Sequence, residues 1–162
     1  MRRTLLRVAL LACASFYVLP VSFGSAHEFR AGDIAIDRPW TRAVGASAPT
    51  AAGYMVLRNG GTVPDRLVSA ATPMATAIEM HQMSMTDGIM RMRPLPDGIE
   101  LPPGQSVRLE PGGLHLMLIG PMGGLARGTR VPVRLRFERA GQVAVELIVE
   151  AAGARAGAHQ GH

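Results

Sequence analysis

The chain has 162 residues and a formal net charge of +5, and all 17 of its basic residues are arginine. These arginines form no cluster and only 4% of the residues are aromatic, so the composition argues against a nucleic-acid-binding protein. The single cysteine, Cys13, excludes an intrachain disulfide. Once the N-terminal segment is removed, any soft-metal chemistry is left to histidine and methionine.

Residues 1–26 have the pattern of a secretory signal peptide. Arg2 and Arg3 give a positive start, an apolar stretch follows over residues 8–23, and Gly24-Ser25-Ala26 places small residues where signal peptidase cuts. We predict cleavage after Ala26, export to the periplasm and a mature form that does not span the membrane. Three basic residues leave with the signal, so the mature charge falls to about +2.

Two other interpretations of this segment stay open. A transmembrane anchor is disfavoured because Pro20 and Ser22 interrupt the apolar run, which is shorter than the roughly 20 apolar residues that a spanning helix needs. Lipoprotein processing would use Cys13, since Leu10-Leu11-Ala12-Cys13 loosely resembles a lipobox. Against it, the apolar run continues well past that cysteine.

Beyond the signal, short apolar stretches alternate with Gly- and Pro-rich turn signals about every ten residues, which predicts an all-β domain over residues 27–151. The strand candidates, in chain order, are 33–37, 53–58, 66–70, 77–83, 89–93, 106–110, 114–119, 131–137 and 143–149. The last two alternate apolar and polar residues around Ala140-Gly141, which predicts a hairpin with one buried face. Residues 152–162 are rich in Ala and Gly and are predicted to be a flexible tail.

Methionine and histidine gather between Met80 and Met92, a segment that holds five of the ten methionines. Asp87-Gly88 predicts a turn inside this segment. With a four-residue loop over residues 85–88, His81 would lie opposite Met92 and Met83 opposite Met90, with Cβ atoms about 5 Å apart. A slip of one residue would break this pairing.

A second histidine–methionine pair lies in Leu114-His115-Leu116-Met117. In a strand, His115 and Met117 share one face and the neighbouring leucines fill the core from the other. If that face meets the hairpin, four ligands converge: His81, Met92, His115 and Met117. Imidazole with thioether sulfur suits Cu(I) and disfavours Zn(II) and hard ions. Because imidazole must be deprotonated to bind, affinity is expected to fall below about pH 6.5.

The other methionines are assigned mainly to packing, since methionine is ordinarily a gap-filler in protein cores. The predicted packing residues are Met55, Met74, Met80 and Met122. Met83, Met85 and Met90 are either auxiliary ligands or an exposed apolar lip, and the lip is favoured.

Motifs along most of the mature domain occur in the order of a known family. They begin at Asp37-Arg38-Pro39-Trp40-Thr41-Arg42-Ala43 and include His81, Asp87-Gly88-Ile89-Met90-Arg91-Met92 and Glu110 to Leu118. Together they resemble the PCu(A)C periplasmic copper chaperones, whose motif is His, ten residues, Met, about twenty-one residues, His, one residue, Met. Here the middle gap, residues 93–114, is one residue longer, and the Pro/Gly-rich loop 94–104 accommodates the insertion.

The resemblance implies a cupredoxin-like Greek-key β-sandwich and a Cu(I) carrier that is not an enzyme. Its implied role is copper delivery to respiratory oxidase assembly. The acceptor would be the CuA centre on cytochrome c oxidase subunit II, with or without a Sco-type copper chaperone. The ligands carry over as His81, Met92, His115 and Met117, and an exposed site would release the ion by ligand exchange. Trp40 is expected to pack in the core or at its rim.

Three further histidines suggest a secondary site, with Cu(II) as the expected ion. Cleavage after Ala26 would leave His27 with a free amine beside its imidazole, which is a good Cu(II) chelate. His159 and His162 lie in the tail and offer a second short histidine-bearing segment. An unstructured terminus is the plainer interpretation of both features.

Three other functions stay open. A periplasmic copper storage or resistance protein would bind several ions. A copper oxidoreductase built on His27 would need an acid–base pair or nucleophile, and the sequence offers no such constellation. An interaction module would use the methionine-rich lip to bind a partner protein without metal.

Overall fold

The computed structural model describes residues 28–155, which form eleven β-strands. The strands are β1 (Glu28–Ala31), β2 (Ile34–Arg42), β3 (Thr50–Asn59), β4 (Asp65–Ala71), β5 (Ala75–Thr86), β6 (Ile89–Pro94), β7 (Ile99–Leu101), β8 (Ser106–Leu109), β9 (Leu114–Pro121), β10 (Arg130–Phe137) and β11 (Gly141–Glu150). Residues 28–155 contain no helix, and therefore none long and apolar enough to cross a membrane.

All eleven strands join one mixed sheet in the order β6-β5-β9-β8-β3-β2-β11-β10-β4-β7, with β1 paired to β2 and β9 also paired to β3. Among these strands the parallel pairs are β11 with β2 and β8 with β9. Met80 of β5 and Leu101 of β7 come from near opposite ends of this order, yet both belong to one hydrophobic core. The sheet therefore closes on itself around that core.

The alternation of apolar and polar residues decides which face of each strand is buried. In β10, Val131, Val133, Leu135 and Phe137 are buried while the residues between them are exposed. Antiparallel pairing with β11 sets Val133 opposite Val145 on the inner face. The predicted hairpin with one buried face is confirmed.

Every predicted strand occurs, with bounds that differ by a few residues, and β1 and β7 are additional to the predicted set. β2 runs on past Asp37 because a bulge between Asp37 and Trp40, where Arg38 has φ +46°, lets the strand continue. Trp40 is buried and its ring centroid lies 4.6 Å from that of Tyr54, so its predicted packing role is confirmed. Burial raises the pKa of Tyr54, and the positive charge of Arg42 opposes that shift.

The predicted packing methionines mostly lie in the core. Met55 and Met80 are buried, and Met74 packs against the core cluster. The prediction for Met122 is wrong, because this side chain is 60% exposed. It follows the end of β9 and precedes Gly123 in a turn, so it has no strand face from which to reach the core.

Candidate metal centre

The β5–β6 hairpin has a two-residue turn rather than the predicted four-residue loop. Asp87 has φ +52° and Gly88 has φ +74°, which are the two left-handed residues that a tight hairpin turn requires. Thr86 therefore pairs with Ile89, Met83 with Met92 and His81 with Pro94. The predicted pairs His81–Met92 and Met83–Met90 are wrong by two residues, although every residue keeps its predicted face.

The histidines meet across β5 and β9. His81 lies directly opposite His115, and their ring centroids are 5.8 Å apart with the ring planes at 80°. Met117 is two residues along β9 from His115, on the same face and opposite Glu79. Met92 lies on the other side of β5, diagonally across from His81. The structure thus places all four predicted ligands on one face of three neighbouring strands.

Both imidazoles are buried, whereas the methionines are closer to solvent. His81 and His115 are each 6% exposed. Met117 is half-buried, and Met92 on the edge strand β6 is 49% exposed. A ligand approaching from solvent would therefore meet thioether sulfur before imidazole nitrogen.

Hydrogen bonds fix which nitrogen of each imidazole carries the proton. Nε2–H of His81 donates to Oε2 of Glu79 over 2.9 Å. Nδ1–H of His115 donates to the Gly113 carbonyl over 3.1 Å, and the same carbonyl accepts the Met83 backbone N–H. A carboxylate and a carbonyl can only accept, so the lone pairs left for another partner are on Nδ1 of His81 and Nε2 of His115.

Nδ1 of His81 is buried and has no hydrogen-bond partner. Leaving a buried polar atom unpaired costs about 1–3 kcal/mol, so such an atom points to a partner that completes it. A metal ion would do so, and the outer bonds to Glu79 and Gly113 are of the kind that orient ligating imidazoles. The donor set on this face therefore fits a soft ion.

The histidine pair has few further nitrogen, oxygen or thiolate ligands near it in the described part of the chain. Within residues 28–155, no three His, Cys, Asp or Glu side chains gather closely enough to hold a metal ion. An ion bound at the histidine pair would need thioether sulfur to complete its coordination. This requirement favours Cu(I), which accepts soft neutral ligands, over Zn(II) and hard cations.

Sequence reasoning missed the groups that orient the imidazoles. Glu79 stands two residues before His81, so strand periodicity already places it on the same face, and that spacing was the available signal. The role of Gly113 depends on the pairing of β5 with β9, which local sequence does not reveal. His27, His159 and His162 lie outside the described residues, so the proposed secondary site stays a prediction.

Removing the Glu79 carboxylate is expected to weaken Cu(I) binding about 10- to 100-fold, because the His81 imidazole would lose the partner that fixes its tautomer. Competition of Glu79→Ala against a chromogenic Cu(I) chelator measures this. Glu146→Ala is the matched control, since Glu146 pairs with Arg130 over 2.9 Å on β10 and β11. An unchanged affinity in Glu79→Ala would show that the carboxylate does not position the ring.

Comparisons of the amino-acid sequence with known proteins find relatives that are described as lipoproteins. A family model described as "Putative lipoprotein LpqE-like" matches residues 34–149. A curated relative from Leifsonia xyli subsp. xyli, named "Putative lipoprotein", is 29% identical over 108 residues, which cover 67% of this chain and 64% of that relative. The match therefore spans less than two thirds of the relative's length.

Solved structures share both sequence and fold with this chain. The copper-bound PCuAC domain from PmoF2 is 31% identical with a TM-score of 0.66, covering 77% of this chain and 98% of that domain. The Cu(I) form of DR1885 from Deinococcus radiodurans is 30% identical with a TM-score of 0.56, covering 69% of this chain and 74% of that protein. The all-β, cupredoxin-like fold implied by the sequence is thus confirmed. Because the family model spans most of the chain and PCuAC domains share its fold, the chain belongs to the LpqE-like family of PCuAC-type copper-binding domains.

Proposed function

We propose that this protein is an exported Cu(I) chaperone that holds one ion with His81, His115, Met117 and Met92. The single observation that carries the proposal is the buried pair of directly opposed histidines, with an unpaired Nδ1 on a methionine-lined face. Copper-bound and Cu(I)-bound relatives of the same fold support the choice of ion.

Transfer would proceed by ligand exchange from the solvent side. Met92 is 49% exposed on an edge strand, so an acceptor's ligand can displace its sulfur first. Neutral thioethers bind more loosely than thiolates, and cysteine is absent from residues 28–155. The buried imidazoles would hold the ion until the acceptor has supplied replacements. The protein would thus retain Cu(I) while free in solution and release it on contact with the acceptor.

We also propose where the protein acts and to which partner it passes copper. Relatives named as lipoproteins support export, and they make Cys13 a candidate for lipid attachment as an alternative to cleavage after Ala26. We place the protein in the periplasm. The CuA centre of cytochrome c oxidase subunit II is the proposed acceptor, with a Sco-type chaperone as a second partner in the same delivery.

Storage is the second candidate function, favoured by the number of methionines on the hairpin. A storage or resistance protein would retain several ions rather than release one. An enzymatic role is not proposed, because a solved relative of the same fold is a copper-bound PCuAC domain and the described face carries histidine and methionine side chains rather than an acid–base pair.

The experiment is anaerobic Cu(I) loading of the purified protein, followed by mixing with the metal-free soluble domain of cytochrome c oxidase subunit II. A chaperone should yield tight Cu(I) binding in chelator competition and should pass copper to the acceptor, as measured by metal analysis after separation. Full retention of several ions by the loaded protein would support storage instead. A protein that ignores Cu(I) would contradict both functions.

A further inference from the structure

Four methionines lie on one face of the β5–β6 hairpin, and we refer to them as the thioether ladder. Met83 pairs with Met92, and one step nearer the turn Met85 pairs with Met90. The opposite face of the same stretch carries no sulfur; its residues are Gln82, Ser84, Arg91 and Arg93, with Thr86 and Ile89 next to the turn. Between residues 82 and 93 sulfur is therefore confined to the face that also presents His81, while Met80, on the other face of β5, is buried in the core.

The pairing geometry brings the opposed side chains of the ladder close together. The Leu95 N–H donates to the Met80 carbonyl over 2.8 Å, so these two residues form a hydrogen-bonded pair. Alternation along the strands then puts both methionine pairs at non-hydrogen-bonded positions, where Cα atoms are about 4.5 Å apart. Pro94 lies opposite His81 at another non-hydrogen-bonded position, where the N–H that proline lacks is not needed for the ladder.

The outer pair of the ladder is too far from the histidines to share their ion. Met85 is four residues from His81, which corresponds to about 13 Å along an extended strand. Met83 is only two residues from His81 and lies between the two positions. We propose that Met85 and Met90, with Met83 as third donor, form a second Cu(I) site composed of thioether sulfur alone.

The alternative is that these side chains are only an apolar lip. Met85 is 68% exposed and Met90 58% exposed, so neither is filling a core gap. Valine, isoleucine or an aromatic residue would suit an exposed strand better, since methionine is not a favoured strand former. What methionine adds over these residues is a soft sulfur donor, and all four positions have it.

The second site would add a step to copper uptake and release. Because Met83 and Met92 occupy the positions between the outer pair and His81, an ion can move along the ladder by exchanging one sulfur at a time. The thioether site needs neither imidazole, so it stands independently of the histidine centre proposed above.

The test is titration of the purified protein with Ag(I), a redox-inert ion with the charge and sulfur preference of Cu(I). Stoichiometry is read by native mass spectrometry, and methionine methyl groups labelled with ¹³C are followed by NMR. The parent should bind two ions and Met85→Leu/Met90→Leu one, because leucine keeps the apolar volume and removes sulfur. Met122→Leu, at another exposed methionine, should keep both ions. The Met85 and Met90 methyl signals should shift in the parent.

His115→Ala separates this proposal from the proposed function. It should still bind one ion, at the ladder. A parent with a single ion that Met85→Leu/Met90→Leu loses would count against the histidine centre and leave the thioether site standing. A Met85→Leu/Met90→Leu variant with the parent stoichiometry, or unmoved methyl signals for both residues, would show an apolar lip only and would overturn the thioether site.

Discussion

Replacing His115 with alanine is expected to lower the affinity of the histidine centre for Cu(I) by about 100-fold or more. Loss of an outer partner of a metal ligand already costs about 10- to 100-fold, and loss of the ligand itself should cost at least the upper end of that range. His115 is buried directly opposite His81, so the substitution removes one of the two imidazoles that meet in this centre. Chelator competition under anaerobic conditions measures the change.

A double-mutant cycle shows whether the two histidines hold the same ion. If they do, His81→Ala/His115→Ala should cost little more than either single substitution, because the first change already dismantles the centre. Met117→Leu should have a smaller effect, since a thioether contributes less than an imidazole and leucine preserves the packing. Additive losses for the histidines would mean that they bind separately, and unchanged affinity in all of these variants would mean that Cu(I) binds elsewhere in the protein.

The shared face of the four proposed ligands was predictable from the sequence because strand periodicity is unaffected by a shift of two residues. The predicted hairpin register was wrong by two residues, and such a shift restores every side chain to its original face. His115 and Met117 share a face in any regular strand for the same reason. The face on which each side chain lies therefore depended only on its odd or even position along the strand. It did not depend on which residue lies opposite in the neighbouring strand.

The neighbours of each proposed ligand were not predictable in the same way. Asp87-Gly88 is compatible with loops of two or four residues, and only the left-handed φ values of both residues select the shorter turn. The direct opposition of His81 and His115 depends on pairing between β5 and β9, which are separated by β6, β7 and β8 in the chain. Long-range pairing of this kind leaves no local pattern.

Replacing Gly98 with alanine is expected to destabilise the fold by about 3 kcal/mol or more. Gly98 has φ +87°, where a residue with a Cβ is strained by about 1–2 kcal/mol. The added Cβ would also lie 2.2 Å from the Leu67 carbonyl oxygen, a contact that requires backbone movement. Leu67 belongs to β4 and pairs with Ile99, so that movement would disturb the junction of β4 and β7 over the core.

Gly104→Ala is the matched control for this clash. Gly104 also has a positive φ, +69°, but no atom lies within 4 Å of the position that an added Cβ would take, so only the backbone strain of about 1–2 kcal/mol applies. Chemical denaturation of both variants should therefore give a clearly larger loss of unfolding free energy for Gly98→Ala. Equal losses would mean that β4 and β7 separate at little cost. The proposed copper centre lies on β5, β6 and β9, far from β4 and β7 in the strand order, so Gly98→Ala is expected to retain its Cu(I) affinity while it remains folded.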